Sequence, residues 1–567
     1  MFFKKLYVEF IQDNLLTFII YLLIILFLFP MEGLVLPNVY GSLFDNIKTS
    51  KFKENPLDIW NNLLKGNVGG LMFAVILVWL TIILTDFVKS EIEANITPKY
   101  LQYVRNLFFE GTINKHDTGN FKDIKSGEYI ARIMELSRNL RDSFQYAFSR
   151  FIPELIVTLM IIGYLYYKDP NIGKIVIFSF IICITIFLIR GVKLTDLIKK
   201  KETYFLEEIS ENLQNNFNNL MNVYINNNTD ETISKNTKLE KHNEKLSTEI
   251  MNEENKIILS TQIITLLTYA IGIYYLFISL KENKMSTANV IAYILLLGQY
   301  LSYVMDLNWG IVHNIIYRMG IVLASKDELE DIFSHIEDNK KEVKFFKNNI
   351  KIDNLSFKYS SDDTSTDYLF KDFTLNIKEN EKIGIVGRSG SGKTTLMKML
   401  VKLYEPNEGK IYIGDIDITD VSKKSLRSHV NYVNQKTNLF NDSLMFNLQY
   451  GNNKSEKEIE QLLKKYKLNE VYSDLNDGYK SDVGINGGNL SLGMQKVTTI
   501  VRGILKPCGI IIFDEPLAGL DERTRDKVMK LLFNECKTKT IIVITHDEEI
   551  LPHLDRTINV NELQKNK

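Results

Sequence analysis

Cysteine is scarce in this sequence and net charge is nearly absent. Cys183, Cys508 and Cys536 are the only three cysteines among 567 residues. They lie too far apart for a disulfide framework, and their spacing fits no zinc pattern, so a reducing environment is expected. Lys plus Arg (68) almost cancels Asp plus Glu (69), so no net field marks a nucleic-acid binder. No internal repeat appears, nor any low-complexity tract beyond a general richness in Asn and Lys. The 45% hydrophobic, 24% charged composition excludes a disordered tail or a collagen-like fibre. The length exceeds one compact domain, and a mean hydropathy of -0.07 averages two unlike halves.

Runs without Asp, Glu, Lys or Arg locate the first half: 14–31, 66–85, 257–280 and 285–305. Each is close to the roughly 20 apolar residues that cross a bilayer as a helix. Two further candidates are 151–167, broken by Glu154, and 175–189. Six spans follow, over approximately 14–36, 66–86, 148–167, 174–191, 257–280 and 285–317. The first is not a cleaved signal peptide, because it exceeds a usual apolar signal core and lacks a small-residue cleavage site. Lys4 and Lys5 place the N-terminus on the cytoplasmic side. The connections 86–150 and 190–256 are long and polar, whereas 168–174 and 281–284 are tight hairpins. Leu101, Val104, Leu107 and Phe108, and Leu206, Ile209, Leu213 and Phe217, have helical spacing. Both long connections therefore read as spans continuing as helices. Domains are expected at 1–322 (membrane), 323–347 (polar linker with Lys326, Asp327, Glu328, Glu330 and Asp331) and 348–567.

From Ile350 the pattern changes to alternating strands and helices with Gly-rich turns. Glu381-Lys-Ile-Gly-Ile-Val386 reads as a buried strand, followed by Gly387-Arg-Ser-Gly-Ser-Gly-Lys-Thr394 and an apolar helix from about Thr395. This is the phosphate-binding loop in its strand–loop–helix setting. Gly387, Gly390 and Gly392 let backbone N–H groups converge on phosphate oxygens, and the helix N-terminus adds a favourable dipole. Lys393 can reach the β- and γ-phosphates, and Thr394 can ligate Mg²⁺. Ile510-Ile-Ile-Phe-Asp-Glu515 is an apolar strand ending in two carboxylates. Asp514 suits the Mg²⁺ shell. Glu515, on the other side of the strand end, can polarise a water. The strand 540–545 delivers His546 to the same sheet edge, where it can bond the γ-phosphate; an ordinary polar surface group reads the same way.

This ordered set resembles the nucleotide-binding domain of ATP-binding cassette (ABC) transporters, and the six-span half looks like an exporter half-transporter. The resemblance covers essentially the whole chain. It implies an α-helical six-span membrane domain of ABC exporter type, followed by an α/β P-loop nucleotide-binding domain. It implies that Tyr359 stacks on adenine, and that Ser389, Ser391 and Thr395 belong to the phosphate loop. Gln435 is implied as the glutamine that links Mg²⁺ and the attacking water to the membrane domain. Asn447, after Leu439 and Ser443, fits the pattern, and Glu515-Pro-Leu-Ala-Gly-Leu-Asp521 supplies the loop ending at Asp521. The signature departs: where the family has Leu-Ser-Gly-Gly-Gln, the chain reads Leu490-Ser491-Leu492-Gly493-Met494, with Arg502 supporting the register. Ser491 and Gly493 are implied to contact ATP bound to the other subunit. A Leu at position 492 is costly if that backbone needs positive φ; if not, its bulk holds the opposed surface off. Ile485 stands where exporters usually carry an acid.

The resemblance further implies ATP and Mg²⁺ as ligands and an obligate dimer; with no partner visible in the sequence, a homodimer is slightly favoured over a pairing with a second half-transporter. A lipid bilayer is its setting and nucleic acid is not a partner. The protein is expected to be a multi-pass membrane protein with a cytoplasmic nucleotide-binding domain. Residues 112–125 and 226–234 are expected to form short coupling helices near Gln435. The expected function is ATP-driven export of an amphiphile (lipid, peptide or drug-like compound) by alternating access. An ATP-gated channel, or a regulatory ABC membrane protein with weak ATPase activity, is the alternative. Glu32, Asp86, Glu154 and Asp306 lie in or beside spans, either facing a cavity or ending helices at headgroup level. The aromatic faces of the last two spans, with Tyr269, Tyr274, Tyr275, Tyr293, Tyr300 and Tyr303, either line a substrate path or pack.

Overall fold

A computed structural model of the chain describes residues 4–49, 67–117, 126–333, 340–359, 368–435 and 438–565. The chain divides into two units, Met1–Thr112 with Ile124–His335, and Ile113–Asp123 with Ile336–Lys567.

Among the described residues, six helices are long and apolar enough to cross a membrane. They are α1 (Leu15–Phe44), α2 (Gly70–Lys115), α3 (Tyr129–Lys168), α4 (Pro170–Asn218), α5 (Thr229–Lys281) and α6 (Thr287–Ala324). The longest has 53 residues, far beyond the roughly 20 a bilayer needs, and the excess is polar helix continuous with the apolar part. Local chemistry sets the tight hairpins. Asp169 accepts from the Asn171 and Ile172 N–H groups at 2.9 and 3.4 Å, and Pro170 opens α4 with its φ already suited to a helix. Ser286 caps α6 through the Asn289 N–H at 3.3 Å. Asp230 and Glu231 in the first turn of α5 and Lys281 in its last complement the helix dipole. Large apolar side chains left exposed, such as Leu16, Phe73, Leu188 and Tyr274, suit lipid.

Beyond the apolar segments, helical periodicity builds a second core in the first unit. Val104, Phe108 and Ile209 are fully buried there with Tyr100 and Phe144, whose rings stack with centroids 4.0 Å apart. Phe217, of the same periodic set, is exposed. No separate helix spans 226–234. Asn226 to Asn228 form a turn with Asn227 at φ 51°, a conformation Asn tolerates better than most residues, and α5 starts at Thr229. Of the other expected short helix, residues 118–125 lie outside the described residues, as do 334–339 of the expected linker.

The second unit holds two sheets. Strands β1 (Ile350–Phe357), β2 (Phe370–Ile377), β4 (Glu408–Ile413) and β5 (Ile416–Asp417) form an antiparallel sheet in the order β2-β1-β4-β5. Strands β3 (Lys382–Val386), β6 (Val430–Val433), β7 (Ile510–Asp514), β8 (Thr540–Ile544) and β9 (Arg556–Asn559) form a parallel sheet in the order β6-β7-β8-β3-β9. Alternation along a strand explains the run of isoleucines. Ile510, Ile512, Ile542 and Ile544 pack into one core and Ile511, Phe513, Ile541 and Val543 into another, so the parallel sheet is covered on both faces. The helices of this unit are α7 (Lys393–Leu400), α8 (Lys423–His429), α9 (Leu444–Gln449), α10 (Glu456–Lys465), α11 (Leu492–Leu505), α12 (Glu522–Glu535) and α13 (Val560–Lys565).

Candidate nucleotide site

The C-terminal ends of β3, β7 and β8 bring the candidate site together, where ligands bind in open α/β sheets. After β3 the chain turns through Gly387 to Gly392 before α7 begins at Lys393. Gly392 has φ 90°, and a Cβ there would come within 2.5 Å of the Phe370 ring. Only glycine meets both demands. Lys393 is 8% exposed. Its ammonium donates to the carbonyls of Gly387 and Arg388 at 2.8 and 3.0 Å. Burial lowers its pKa, while Glu515 and Asp514 pull it back up.

Thr394 Oγ1 donates to Asp514 Oδ2 at 3.0 Å, joining the loop to the end of β7. Glu515 follows with φ 51°, a left-handed conformation that costs a residue of this type about 1–3 kcal/mol. Its N–H donates to the Ile544 carbonyl at 2.9 Å. Strict strand alternation stops at this residue, and both carboxylates line one cleft. The cleft, about 550 Å³, is also lined by Tyr359, Ser389, Gly390, Ser391, Gly392, Lys393, Thr394, Thr395, Gln435 and His546. The volume is ordinary for a small-molecule site. His546 Nε2 is 3.8 Å from Glu515 Oε1. The hydroxyls of Tyr359 and Thr395 are hydrogen-bonded, and the Tyr359 ring, 47% exposed, is held edge-on by Phe357 and Tyr404.

Two side chains at this site were not singled out from the sequence. Tyr432 Oη donates to Asp514 Oδ2 at 2.8 Å; burial and the neighbouring carboxylate raise its pKa, so it stays a neutral donor. Lys496, on α11, donates to the Gln435 carbonyl at 3.4 Å, and burial lowers its pKa against the pull of Asp514 and Glu515. Neither belongs to a local pattern; only the packing of β6 and α11 against β7 brings them near.

Ser491, Gly493 and Asp521 do not line the cleft. Ser491 and Asp521 each end a loop as a helix N-cap, and Gly493 lies in the first turn of α11. Ser491 caps α11 through the Met494 N–H at 3.2 Å. Asp521 caps α12 through the Thr524 N–H at 2.9 Å, and hydrogen bonds from Thr524 hold its pKa low. Leu492 is the first residue of α11 and is absent from the positive-φ residues, so no backbone strain attends it. It is 77% exposed, and Met494 is buried in the core. Asn447 is fully buried and clamps its loop by donating to the Phe440 and Ser443 carbonyls at 2.9 and 3.1 Å.

Comparison with known proteins agrees with this geometry. The ABC transporter transmembrane region family matches residues 15–304, and the ABC transporter family matches residues 370–518. The ABC transporter ATM1 of Plasmodium falciparum is 38% identical over 211 residues, which is 37% of this chain and 20% of that one. The ATP-dependent lipid A-core flippase 2 of Colwellia psychrerythraea is 26% identical over 496 residues, 84% of this chain and 81% of that one. The solved structure of a bacterial Atm1-family ABC exporter with ATP bound has the same fold, with a TM-score of 0.80 at 19% identity, covering 96% of this chain and 93% of its own. With six membrane-type helices ahead of a phosphate-loop cassette that binds and hydrolyses ATP to drive export, the chain belongs to the ABC transporters.

Proposed function

We propose that this chain is one half of a dimeric exporter, a homodimer, whose cassette faces the cytoplasm and whose substrate is an amphiphile such as a lipid, peptide or drug-like compound. The observation that carries the reading is the convergence of the phosphate loop, Gln435, Asp514, Glu515 and His546 on one cleft. Tyr359 offers a partly exposed ring to adenine. The loop N–H groups and Lys393 hold the phosphates. Thr394 Oγ1 and the Asp514 carboxylate, 3.0 Å apart, are the hard oxygen donors that Mg²⁺ takes, with Gln435 beside them. Mg²⁺ bound there neutralises phosphate charge.

Glu515 accepts a proton from the attacking water, whose oxygen bonds to the γ-phosphorus as the bond to the β-phosphate bridging oxygen breaks. His546 donates a hydrogen bond to the γ-phosphate. Ser491, Gly493 and Asp521 lie outside the cleft of their own chain, which suits a role across a dimer interface, toward ATP held by the other subunit. The similar proteins named above include a lipid flippase and an exporter, which favours export over an ATP-gated channel. The test is reconstitution of the purified chain in lipid vesicles. ATP-dependent translocation of a labelled lipid is expected, together with ATP hydrolysis that Glu515→Gln abolishes. Hydrolysis persisting in that variant refutes Glu515 as the base.

A further inference from the structure

Four acidic residues of the spans, distant in sequence, share one neighbourhood in the first unit. Glu154 on α3 is 3% exposed, and the charges of Arg150, Asp306 and Lys89 all act on it. Glu32 on α1 feels Asp86, Arg150 and Lys89. Counted from the helix ends at the short-loop side, Glu32, Glu154 and Asp86 lie about 18 to 24 Å along their helices, inside the roughly 30 Å thickness of hydrocarbon, and Asp306, at about 29 Å, lies at its far edge. A charge at that depth is costly unless it faces a partner or a wet cavity.

The local cations do not balance them. Lys89 is shared between Asp86 and Glu93 at 3.6 and 3.4 Å, and Arg150 reaches Glu154 Oε1 at 3.7 Å. Glu93 is further held by the Tyr21 hydroxyl. That leaves Glu32 and Asp306 without an ion-pair partner among the described residues. Glu154 Oε2 is buried and makes no hydrogen bond. A second, independent sign comes from α6. Tyr303 is 7% exposed, its hydroxyl makes no hydrogen bond, and it lies within the fields of Glu32, Glu154 and Asp306. Unsatisfied polar atoms at such burial are uncommon, and each asks for a partner.

A metal ion is a poor partner. Among the described residues no three His, Cys, Asp or Glu groups are close enough to hold one. A larger, diffuse cation bridges carboxylates that are spread apart, and it gains from neighbouring rings. We propose that Glu32, Glu154, Asp306 and Tyr303 form the binding site for the cationic head of an amphiphilic substrate, an organic ammonium group carried on an apolar tail. This inference rests on the export reading and narrows its substrate class.

The probe pair is a single-chain quaternary-ammonium amphiphile and its uncharged tert-butyl isostere, titrated against the full-length protein in lipid nanodiscs. The charged probe is expected to bind about tenfold tighter or more than its isostere. Glu154→Gln should remove most of that preference while leaving affinity for the isostere unchanged. Asp306→Asn, on an exposed position, carries the same test should Glu154→Gln fail to fold. Equal binding of the two probes, or a preference that survives the substitutions, overturns the site. ATP-dependent uptake of both probes into vesicles separates the two readings. Uptake without charge preference overturns the site and leaves export standing. Charge-selective binding without uptake supports the site and overturns export.

Discussion

Glu515 Oε1 stands 3.8 Å from His546 Nε2, on adjacent strands of one parallel sheet. Register brings the two near: Asp514 is opposite Ile544, so Glu515, one residue past the end of β7, and His546, two past the end of β8, leave the same edge of the sheet. Glu515 is 15% exposed on its side chain and His546 is 56% exposed, so the carboxylate is the sheltered member and the imidazole the accessible one. His546→Ala is expected to lower kcat for ATP hydrolysis by about 100-fold with little change in KM for ATP. A raised KM at unchanged kcat would assign His546 to ground-state binding instead. Steady-state kinetics on the protein in lipid separates these outcomes.

Asp514 takes two hydroxyl donors on one oxygen, from Thr394 at 3.0 Å and Tyr432 at 2.8 Å. Tyr432 thereby fixes the carboxylate that is proposed to hold Mg²⁺. Tyr432→Phe removes one donor at nearly constant volume. The Mg²⁺ concentration for half-maximal ATP hydrolysis should rise by about tenfold, the usual effect of losing an outer hydrogen bond to a metal ligand. Unchanged Mg²⁺ dependence would reduce Tyr432 to packing. Titrating Mg²⁺ at saturating ATP gives the answer.

Leu492 opens α11 with ordinary helical geometry and 77% exposure. Of the two consequences open at the sequence level, backbone strain is therefore removed and bulk at an opposed surface remains. Leu492→Gly sacrifices at most about 1 kcal/mol of helix propensity and clears that surface. Maximal ATP turnover is expected to rise by a factor of a few. Unchanged or lower turnover means that the opposed surface accommodates the leucine.

How legible these features were depends on whether the physics behind them is local. The phosphate loop reads directly because its glycines answer a backbone demand, seen at Gly392, where φ and the Phe370 ring both exclude a side chain. The spans read as runs without charge for the same reason: desolvation acts residue by residue. Glu154 interrupts the third run because a tertiary neighbourhood, not the local sequence, accommodates it. Tyr432 and Lys496 carried no pattern, since their meeting with Asp514 and Gln435 depends on which strand lies beside β7. The turn at Asn227 replaced an expected helix because neighbouring helices already reach both its sides. The left-handed backbone of Glu515 was equally hidden, and it undoes the strand alternation that would have separated its carboxylate from that of Asp514.

Arg427 joins the phosphate-loop helix to a residue distant in sequence, all within the second unit. Its guanidinium donates to the Val401 and Lys402 carbonyls at 2.9 and 3.1 Å, just past the end of α7, and pairs with Asp117. Lys423 donates to the Asp117 carbonyl. A shift of α7, whose first residue is Lys393, is therefore expected to reach the chain at Asp117 through one rigid guanidinium. Both side chains are partly exposed, at 29% and 38%, so the ion pair itself contributes no more than about 1 kcal/mol of stability, and Asp117→Ala should leave folding intact. The expected effect is on coupling: fewer substrate molecules moved per ATP hydrolysed, with hydrolysis changed less than transport. Exchanging the charges, Asp117→Arg with Arg427→Asp, restores the pair but forfeits the carbonyl bonds to α7. It should therefore recover less coupling than the wild type has, and more than Arg427→Asp alone. Equal losses of hydrolysis and transport in Asp117→Ala would show that the pair serves the cassette and not its connection. Parallel assays of phosphate release and vesicle uptake on the same preparation measure that ratio.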